Sequence, residues 1–280
     1  MPELPEVETI RRDLDKEATG KKIKAVEVTG ARSVRRHKDK KEFIARLEGT
    51  KITGVGRRGK NLLVSLDSKD VLVIHLGMSG QLLHVKSAKT EAPKHTHIVI
   101  TFTQGGLLRF VDPRTFGEMF VVTPDQLDDN SIEELAHIGF DPVENAVSWV
   151  EFAQNLVRRK AKLKTVMLDQ TLVAGIGNMY ADEILWEAGL LPDRASEKLS
   201  SQEIRRLYRA MTEVLQEAVK HRGSSLADEQ YVDLYGKMGT FQKEHKVYAR
   251  EGQACPRCRT AIIRKKLGDR STFYCERCQV

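Results

Sequence analysis

The four cysteines of the 280-residue chain lie within its last 26 residues and form two Cys-x2-Cys pairs. Cys255 and Cys258 form the first pair, and Cys275 and Cys278 form the second, with sixteen residues between the pairs. This spacing is typical of a site in which four thiolates hold one zinc ion. Two disulfides or a redox pair are the alternatives, and a cytosolic chain without other cysteines makes disulfides the poorer explanation. Zinc with four protein ligands has no open position, so we expect it to hold structure and do no chemistry.

Pro2 and Glu3 are a second pair of residues that could do chemistry. The small ring at position 2 favours removal of Met1, which would expose the secondary amine of Pro2. Because an α-amino group titrates near ~7.7–8.0 and a lysine near ~10.4, a useful fraction of this amine is unprotonated at neutral pH. Such an amine can attack a sugar or aldehyde carbon and form an iminium, while Glu3 moves the protons. The structural alternative is that proline and acidic residues simply open a helix.

Four further candidate residues fall between apolar segments of the sequence. They are Lys60, Met78, Arg114 and Phe116. Lys60 belongs to a cationic turn and could clamp a phosphate, act as an amine nucleophile or be an ordinary surface lysine. Arg114 and Phe116 pair a hydrogen-bonding guanidinium with an aromatic ring, and Met78 adds a flexible apolar side chain. As structural residues, the two apolar side chains would be core and Arg114 would be surface. As functional residues, they are of the kind that proteins insert into a duplex in place of an extruded base.

Positive charge is concentrated at both ends of the chain. The sequence contains 46 Lys+Arg and 39 Asp+Glu, which gives a formal charge of +7. Residues 1–60 have 17 basic and 10 acidic side chains, and residues 221–280 have 12 and 7, so the middle of the chain is net acidic at −5. Two basic ends suggest surfaces that meet one polyanion, although any single basic run can also be a solvated face.

The elements that must position these residues change character near residue 125. The sequence predicts helices over 4–18 and near 39–47, then strands at 22–29, 61–66, 71–76, 81–85, 97–102, 107–111 and 118–122. It predicts later helices over 148–159, 181–188 and 200–221. The last helix opens with Ser200 as N-cap and Glu203 as its capping-box partner. Short strands at this spacing indicate an antiparallel sandwich or barrel.

Composition excludes several classes of protein. With 40% hydrophobic and 30% charged residues, the chain can bury a core and is not disordered overall. Apolar stretches such as 71–76 fall far short of the ~20 residues of a membrane helix. The acidic N-terminus is unlike a signal peptide. We therefore expect a soluble, cytoplasmic protein without membrane attachment.

Five segments occur in order from one end of the chain to the other, and as a set they are highly specific. They are Pro2–Thr9, His75–Gly80, Asp112–Gly117, Gly175–Glu183 and Arg270–Cys275. Together with the cysteine spacing, they resemble the bacterial formamidopyrimidine-DNA glycosylase (8-oxoguanine DNA glycosylase) family over essentially the full length.

The resemblance implies an α+β fold. Its expected parts are an N-terminal antiparallel β-sandwich flanked by helices, a C-terminal helix–two-turn–helix domain and a four-cysteine zinc β-hairpin. We place the catalytic sandwich domain at 1–130, a linker at 131–146, the helix–two-turn–helix domain with a lesion-capping loop at 147–238, and the zinc hairpin at 239–280.

Four residues match the catalytic positions of the family. The resemblance makes Pro2 the nucleophile that attacks C1′ of the damaged nucleotide, displaces the base and forms a Schiff base. Glu3 matches the acid/base that helps to open the sugar ring. Lys60 matches a lysine that donates a proton in β-elimination and touches a phosphate, and Arg270 matches an arginine of δ-elimination. The implied result is base excision followed by strand cleavage on both sides of the abasic sugar.

Three residues match the family's void-filling set. Met78 and Phe116 would stack in the gap left by the lesion, and Arg114 would read the orphaned cytosine. Further expected DNA contacts are His95, Arg159, Asn178, His75 and Lys164. On its own, the glycine segment before Asn178 is more simply explained as a tight turn. The resemblance implies that it binds a phosphate.

The expected partner is duplex DNA that carries an oxidised purine, preferably opposite cytosine, and the expected cofactor is one structural Zn²⁺. The resemblance further implies a bacterial, nucleoid-associated monomer. The opening segment and the void-filling set favour this branch over the endonuclease VIII type, which prefers oxidised pyrimidines. A zinc-hairpin DNA-binding protein without catalysis is the alternative from another class. Residues 223–239 correspond to the capping loop but depart from the family pattern, which leaves open the lesion contacts and the balance between 8-oxoguanine and formamidopyrimidines.

Overall fold

The computed structural model describes residues 1–128, 131–227 and 230–280, which fold as two compact units. The first unit contains residues 1–136 and 221–240, and the second contains the remainder. Residues 129 and 130, at the end of the predicted N-terminal domain, and residues 228 and 229, in the predicted capping loop, lie outside the described residues. No helix in the described part of the chain has the length and apolarity that a membrane span requires.

The first unit is an antiparallel β-sandwich with helices. Its helices are α1 (Leu4–Ala18), α2 (Lys40–Leu47), α3 (Pro124–Asp128) and α4 (Glu133–Ala136). Its strands are β1 (Ile23–Val28), β2 (Ile52–Arg58), β3 (Asn61–Leu66), β4 (Val71–His75), β5 (Gln81–Val85), β6 (Thr96–Phe102), β7 (Leu107–Val111) and β8 (Glu118–Val122). One sheet has the order β1-β6-β7-β5 and the other β2-β3-β4-β8, with antiparallel pairing throughout. The predicted sandwich is confirmed.

The core of this unit is formed by apolar residues that alternate along the strands and recur once per turn along the helices. Ile98, Ile100 and Phe102 on β6 are buried and alternate with more exposed residues, so one face of the strand points inward. Ile10 and Leu14 of α1 are buried one helical turn apart and join the same cluster. Full burial of each such side chain contributes about 1.5–3 kcal/mol, which holds α1 on the sandwich.

The second unit is helical and ends in a β-hairpin. Its elements are α5 (Trp149–Arg158), α6 (Leu163–Leu168), α7 (Asn178–Ala188), α8 (Ser201–Lys220), β9 (Ile263–Leu267) and β10 (Arg270–Tyr274). The predicted capping box of α8 is present, because the Ser200 N–H donates to Glu203 Oε2 at 2.8 Å and the Glu203 N–H donates to Ser200 Oγ at 3.4 Å. β9 and β10 pair antiparallel.

Residues 221–240, which the sequence assigns to the helix–two-turn–helix domain (147–238) and the start of the zinc hairpin (239–280), belong to the first compact unit of the structure. Arg222 forms ion pairs with Asp13 of α1 and with Asp233, and Leu234 joins the sandwich core. The physical reason is that the buried Asp233 carboxylate is joined through Arg222 to Asp13 of α1, and that the apolar Leu234 is fully buried. The predicted boundaries of all the domains and of the linker remain a prediction.

Strand β2 is absent from the sequence prediction. Its sequence contains two glycines and two arginines, which are poor strand signals. Arg57 nevertheless lies buried on this strand, because its guanidinium Nε donates to Glu8 Oε2 on α1 at 3.0 Å. Such a pairing across 49 residues leaves no periodic trace in the sequence.

Glu8 is paired with arginines on α1 as well as with Arg57. Its carboxylate is 1% exposed and also pairs with Arg11 and Arg12, each at 2.7 Å. Burial by itself raises the pKa of Glu8, but these three arginines outweigh it and hold the pKa at about 2, against an ordinary 4.5. A depressed pKa in the folded state stabilises the fold above about pH 4.5, and this contribution is lost as the pH falls toward 2.

We therefore expect Glu8→Gln to destabilise the first unit by about 3–5 kcal/mol at pH 7, because it leaves Arg57 buried without a counter-charge. The destabilisation should shrink as the pH falls below about 4.5, where Glu8 of the native sequence begins to lose its own advantage. Urea unfolding followed by far-UV circular dichroism between pH 7 and pH 3 measures both effects. Glu27→Gln, at an exposed position, is the control. An unchanged midpoint in Glu8→Gln would contradict this role.

Candidate active site and zinc centre

Pro2 and Glu3 lie at the N-terminus of α1. Glu3 is the N-cap, its N–H donates to Glu6 Oε2 at 2.9 Å, and the two glutamates form a reciprocal capping box. Both Pro2 and Glu3 are buried. Because the positive end of the helix dipole lies here, a negative charge on Glu3 is stabilised beside the position of the proposed nucleophile.

Lys60 occupies the two-residue turn between β2 and β3. Arg58 pairs with Asn61 across the hairpin, and Gly59 has a φ of +59°, a left-handed conformation that glycine adopts without strain. Lys60 itself is half-buried. Arg57 donates through Nη1 to the Gly59 carbonyl at 3.0 Å, while its Nε holds Glu8. One guanidinium thus links the turn that presents Lys60 to the helix that begins beside Pro2.

Glu6 is a residue of this region that sequence reasoning missed. Its second oxygen, Oε1, accepts the N–H of Ser224 at 2.8 Å, so the start of the predicted capping segment lies against the N-terminus of α1. Gly223 has a φ of +76°, and a Cβ there would lie 2.7 Å from Glu6 Oε1. The capping-box pattern Glu3-x-x-Glu6 was visible in the sequence, but the partner 218 residues away was not.

His75 lies at the end of β4, directly opposite Glu118 on β8. Burial lowers the pKa of His75 below its ordinary value, and the charges of Lys60 and Arg35 act in the same direction against Glu118. The imidazole is therefore neutral at pH 7. A neutral histidine next to Lys60 can donate one hydrogen bond without adding a further charge.

Met78, Arg114 and Phe116 present exposed side chains in the first unit. Met78 is 36% exposed and Phe116 is 42% exposed, so neither is a core residue. The Arg114 guanidinium lies over the Phe116 ring at 5.1 Å from its centroid. His95 is also exposed, has a left-handed φ of 66°, and accepts the Asp112 N–H on its carbonyl at 3.0 Å. The functional interpretation of these four residues requires this exposure.

In the second unit, Asn178 is the first residue of α7 and follows the predicted glycine turn. Gly175 has a φ of +79°, and Gln170 braces the turn by accepting the Gly175 N–H at 2.9 Å and donating to the Ile176 carbonyl at 2.8 Å. Asn178 Nδ2 donates to the Ser271 carbonyl of β10 at 2.9 Å. The helix N-terminus is therefore rigidly held, as a phosphate site requires.

Lys164 differs from its expected place as a DNA contact. Its ammonium group is buried and lies 2.5 Å from Asp182 Oδ1, and it also donates to the Asn178 carbonyl at 2.8 Å. Burial raises the pKa of Asp182 above its ordinary value, although Lys164 and the Phe273 N–H both oppose the shift. The ammonium group of Lys164 is paired inside the unit, where it supports the first turn of α7.

Arg159 and Arg270 lie on exposed positions of the second unit. Arg159 is the C-cap of α5, and its Nε pairs with Asp169 at 3.0 Å. Arg270 is the first residue of β10 and follows a turn in which Gly268 has a φ of +59°. Both residues are exposed, and a guanidinium is suited to phosphate oxygens, although that of Arg159 already donates to Asp169 and Thr171.

The four cysteines converge at the end of the second unit. Their Sγ atoms lie within 4.8 Å of one another, with Cys255 to Cys278 at 3.8 Å and Cys258 to Cys275 at 3.5 Å. Zinc–sulfur bonds of about 2.3 Å in a tetrahedron require sulfur atoms about 3.8 Å apart, so the four residues fit the ion. Nearby, Glu183 of α7 accepts three backbone N–H groups from residues 246–248, which fastens the approach to the hairpin.

Three family models match the chain. They describe the formamidopyrimidine-DNA glycosylase N-terminal domain over residues 1–119, the formamidopyrimidine-DNA glycosylase H2TH domain over residues 138–230, and the zinc finger found in FPG and IleRS over residues 252–280. A sandwich, a helical domain and a four-cysteine finger in this order define a zinc-finger DNA glycosylase, with one structural zinc site. The chain belongs to the formamidopyrimidine-DNA glycosylase family.

Individual relatives agree over the full length. A formamidopyrimidine-DNA glycosylase of Pelotomaculum thermopropionicum is 41% identical and covers 100% of this chain and 99% of its own. Two solved structures each have a TM-score of 0.89, 34% identity and 99% coverage of both chains. They are the complex of Lactococcus lactis Fpg with DNA containing an abasic site, and MutM with DNA containing carbocyclic 8-oxo-G. The resemblance stated from the sequence motifs is confirmed.

Removing zinc with a chelator should loosen the β9–β10 hairpin, because no other covalent link holds the two cysteine pairs together. We expect metal analysis to find one zinc per chain, and hydrogen exchange to accelerate across residues 255–279 after chelation. The sandwich of the first unit serves as the internal control and should keep its protection. If the hairpin amides exchange equally slowly without metal, the zinc does not support this part of the fold.

Proposed function

We propose that the protein excises oxidised purines from duplex DNA and then cleaves the strand at the resulting abasic sugar. The observation that carries this proposal is the Glu8–Arg57–Gly59 link, which fixes the helix beginning beside Pro2 to the turn presenting Lys60. Support also comes from the two related proteins solved with abasic-site DNA and with 8-oxo-G DNA.

The proposed chemistry begins at Pro2 after removal of Met1. The nitrogen lone pair attacks C1′, and the bond from C1′ to the base breaks with its electron pair going to the base. The Glu3 carboxylate takes the proton that the Pro2 nitrogen loses after the attack and passes it to the sugar ring oxygen. The bond from C1′ to the ring oxygen then breaks as the nitrogen lone pair forms the iminium that joins Pro2 to the sugar. The iminium withdraws electrons from the neighbouring carbon, which makes the following elimination possible.

Strand cleavage is proposed to follow because the iminium withdraws electrons from the neighbouring carbon of the sugar. Loss of a proton from C2′ expels the 3′-phosphate in β-elimination, with Lys60 moving a proton and neutralising a phosphate. Arg270 is proposed to contact the second phosphate and to assist δ-elimination. Both side chains are cationic, and Lys60 is half-buried while Arg270 is exposed, which suits contact with phosphates.

DNA recognition is proposed to use the exposed residues of both units. Arg114 would read the cytosine left without its partner, while Met78 and Phe116 occupy the gap. His75, His95, Arg159 and Asn178 are proposed phosphate or backbone contacts. Lys164 would support Asn178 from inside the unit, because its ammonium holds the Asn178 carbonyl.

Borohydride trapping tests the catalytic proposal. A duplex with 8-oxoguanine opposite cytosine should give a covalent protein–DNA complex, and Pro2→Gly should abolish it because a glycine amine replaces the ring nitrogen that positions the attack. Pro5→Ala, in the first turn of α1 three residues after Pro2, is the matched control and should trap normally. Equal trapping by Pro2→Gly and the native protein would remove Pro2 from the mechanism, and no complex at all would favour a binding-only protein.

A lesion panel tests the substrate. We expect faster excision of 8-oxoguanine opposite cytosine than of thymine glycol, and slower excision opposite adenine. Arg114→Ala should reduce the preference for cytosine about tenfold, the order expected when a bidentate base contact is lost. Single-turnover rates on the three duplexes measure these differences. Faster removal of thymine glycol would instead place the protein with the pyrimidine-lesion enzymes.

A further inference from the structure

The turn that carries Met78 and the turn that carries Arg114 and Phe116 touch through their backbones. Gly77 has a φ of +62°, and a Cβ there would lie 2.6 Å from the Gly117 nitrogen and 2.7 Å from the Phe116 carbonyl carbon. A Cβ on Gly117 would in turn lie 2.9 Å from the carbonyl oxygen of Leu76. Real Cβ atoms do not approach so closely, so only glycine at both positions allows this contact.

A single buried carboxylate joins the two turns. Asp112 is fully buried, and its Oδ1 accepts the Ser79 hydroxyl at 2.5 Å and the Arg114 N–H at 3.2 Å. Its Oδ2 accepts the Gly117 N–H at 2.7 Å. Ser79 follows Met78 directly, so the carboxylate reaches the backbone of one turn through a side chain and the other turn through two amides. Charge-assisted bonds of this length are the strong ones.

The turn that carries Arg114 and Phe116 needs such support. Thr115 at its centre has a φ of +55°, and a β-branched residue is strained in this left-handed region. In addition, Arg35 donates to the Gly117 carbonyl at 3.2 Å and pairs with Glu118 at 3.1 Å. The backbone of the turn is thus held by both Asp112 and Arg35, while Arg114 and Phe116 stay exposed.

We propose that Asp112 is a positioning residue that makes the two turns one preformed insert, so that Met78, Arg114 and Phe116 enter the duplex together. This inference rests on the proposed function, in which those three side chains replace the extruded nucleotide. A set that is rigid before binding loses less conformational freedom on insertion than three independent side chains. An aspartate suits the task because it accepts all three donors, whereas an asparagine would turn an N–H group toward at least one of them.

Two variants test the link. Asp112→Asn changes the carboxylate at nearly constant volume, and Ser79→Ala removes only the bond between the turns. Asp141→Asn is the matched control, since Asp141 is also buried and accepts the N–H groups of Val143 and Glu144 elsewhere in the fold. We expect Asp112→Asn to slow single-turnover excision of 8-oxoguanine about tenfold, the order expected from the loss of a charged hydrogen bond, and Ser79→Ala to slow it severalfold.

Two further comparisons distinguish a positioning role of Asp112 from general damage to the fold. Borohydride trapping on a preformed abasic site in single-stranded DNA needs no void filling, so both variants should trap at the native rate. In a Phe116→Ala background, Asp112→Asn should cause little further slowing, because residues that act through one another are not additive. Asp141→Asn should show the native rate in both assays.

Hydrogen exchange in the free protein decides the physical link without any reaction. Ser79→Ala should speed exchange of the Arg114 and Gly117 amides, although neither residue is altered. Unchanged exchange there, or an equal loss of excision caused by Asp112→Asn with and without Phe116, would overturn the inference. Absence of excision by the native protein would instead refute the proposed function, and the exchange result would still decide whether the two turns are coupled.

Discussion

The buried ion pair between Glu8 and Arg57 is the interaction on which the first unit most depends. Both side chains are at most 1% exposed, so each charge has lost several kcal/mol of hydration. Arg11 and Arg12 on the same carboxylate and the Gly59 carbonyl on the same guanidinium offset that loss. Because the pair joins a helix to a hairpin 49 residues away, it fixes the two elements whose ends carry Pro2 and Lys60.

The second unit uses the same device on α7. Asp182 and Glu183 are adjacent buried carboxylates, and each is surrounded by donors instead of water. Asp182 holds Lys164 and the Phe273 N–H of β10, while Glu183 holds three backbone amides before the hairpin. The zinc ligands then fix the far end of the hairpin. Buried charge in both units therefore orients backbone that presents exposed basic residues, and it does so without reaching solvent itself.

Much of this could be predicted because the signals are local. Helix α1, the capping box of α8 and the cysteine pairs depend on spacings of two to four residues, and each is confirmed. Strand β2 could not be predicted because its glycines and arginines are poor strand signals. The burial of Arg57 and Lys164 could not be predicted because their partners Glu8 and Asp182 lie 49 and 18 residues away. The roles of Glu6 and Asp112 were hidden for the same reason, since each carboxylate receives donors from a distant segment. Spacing thus indicated the exposed candidate residues, whereas tertiary pairing decides what holds them.

We propose that the reacting nitrogen belongs to Pro2. The most direct measurement is tandem mass spectrometry of the borohydride-reduced protein–DNA complex after digestion of both components. We expect a sugar adduct on the N-terminal nitrogen of a peptide that begins at Pro2. An adduct on Lys60, or on a peptide that still begins with Met1, would contradict it.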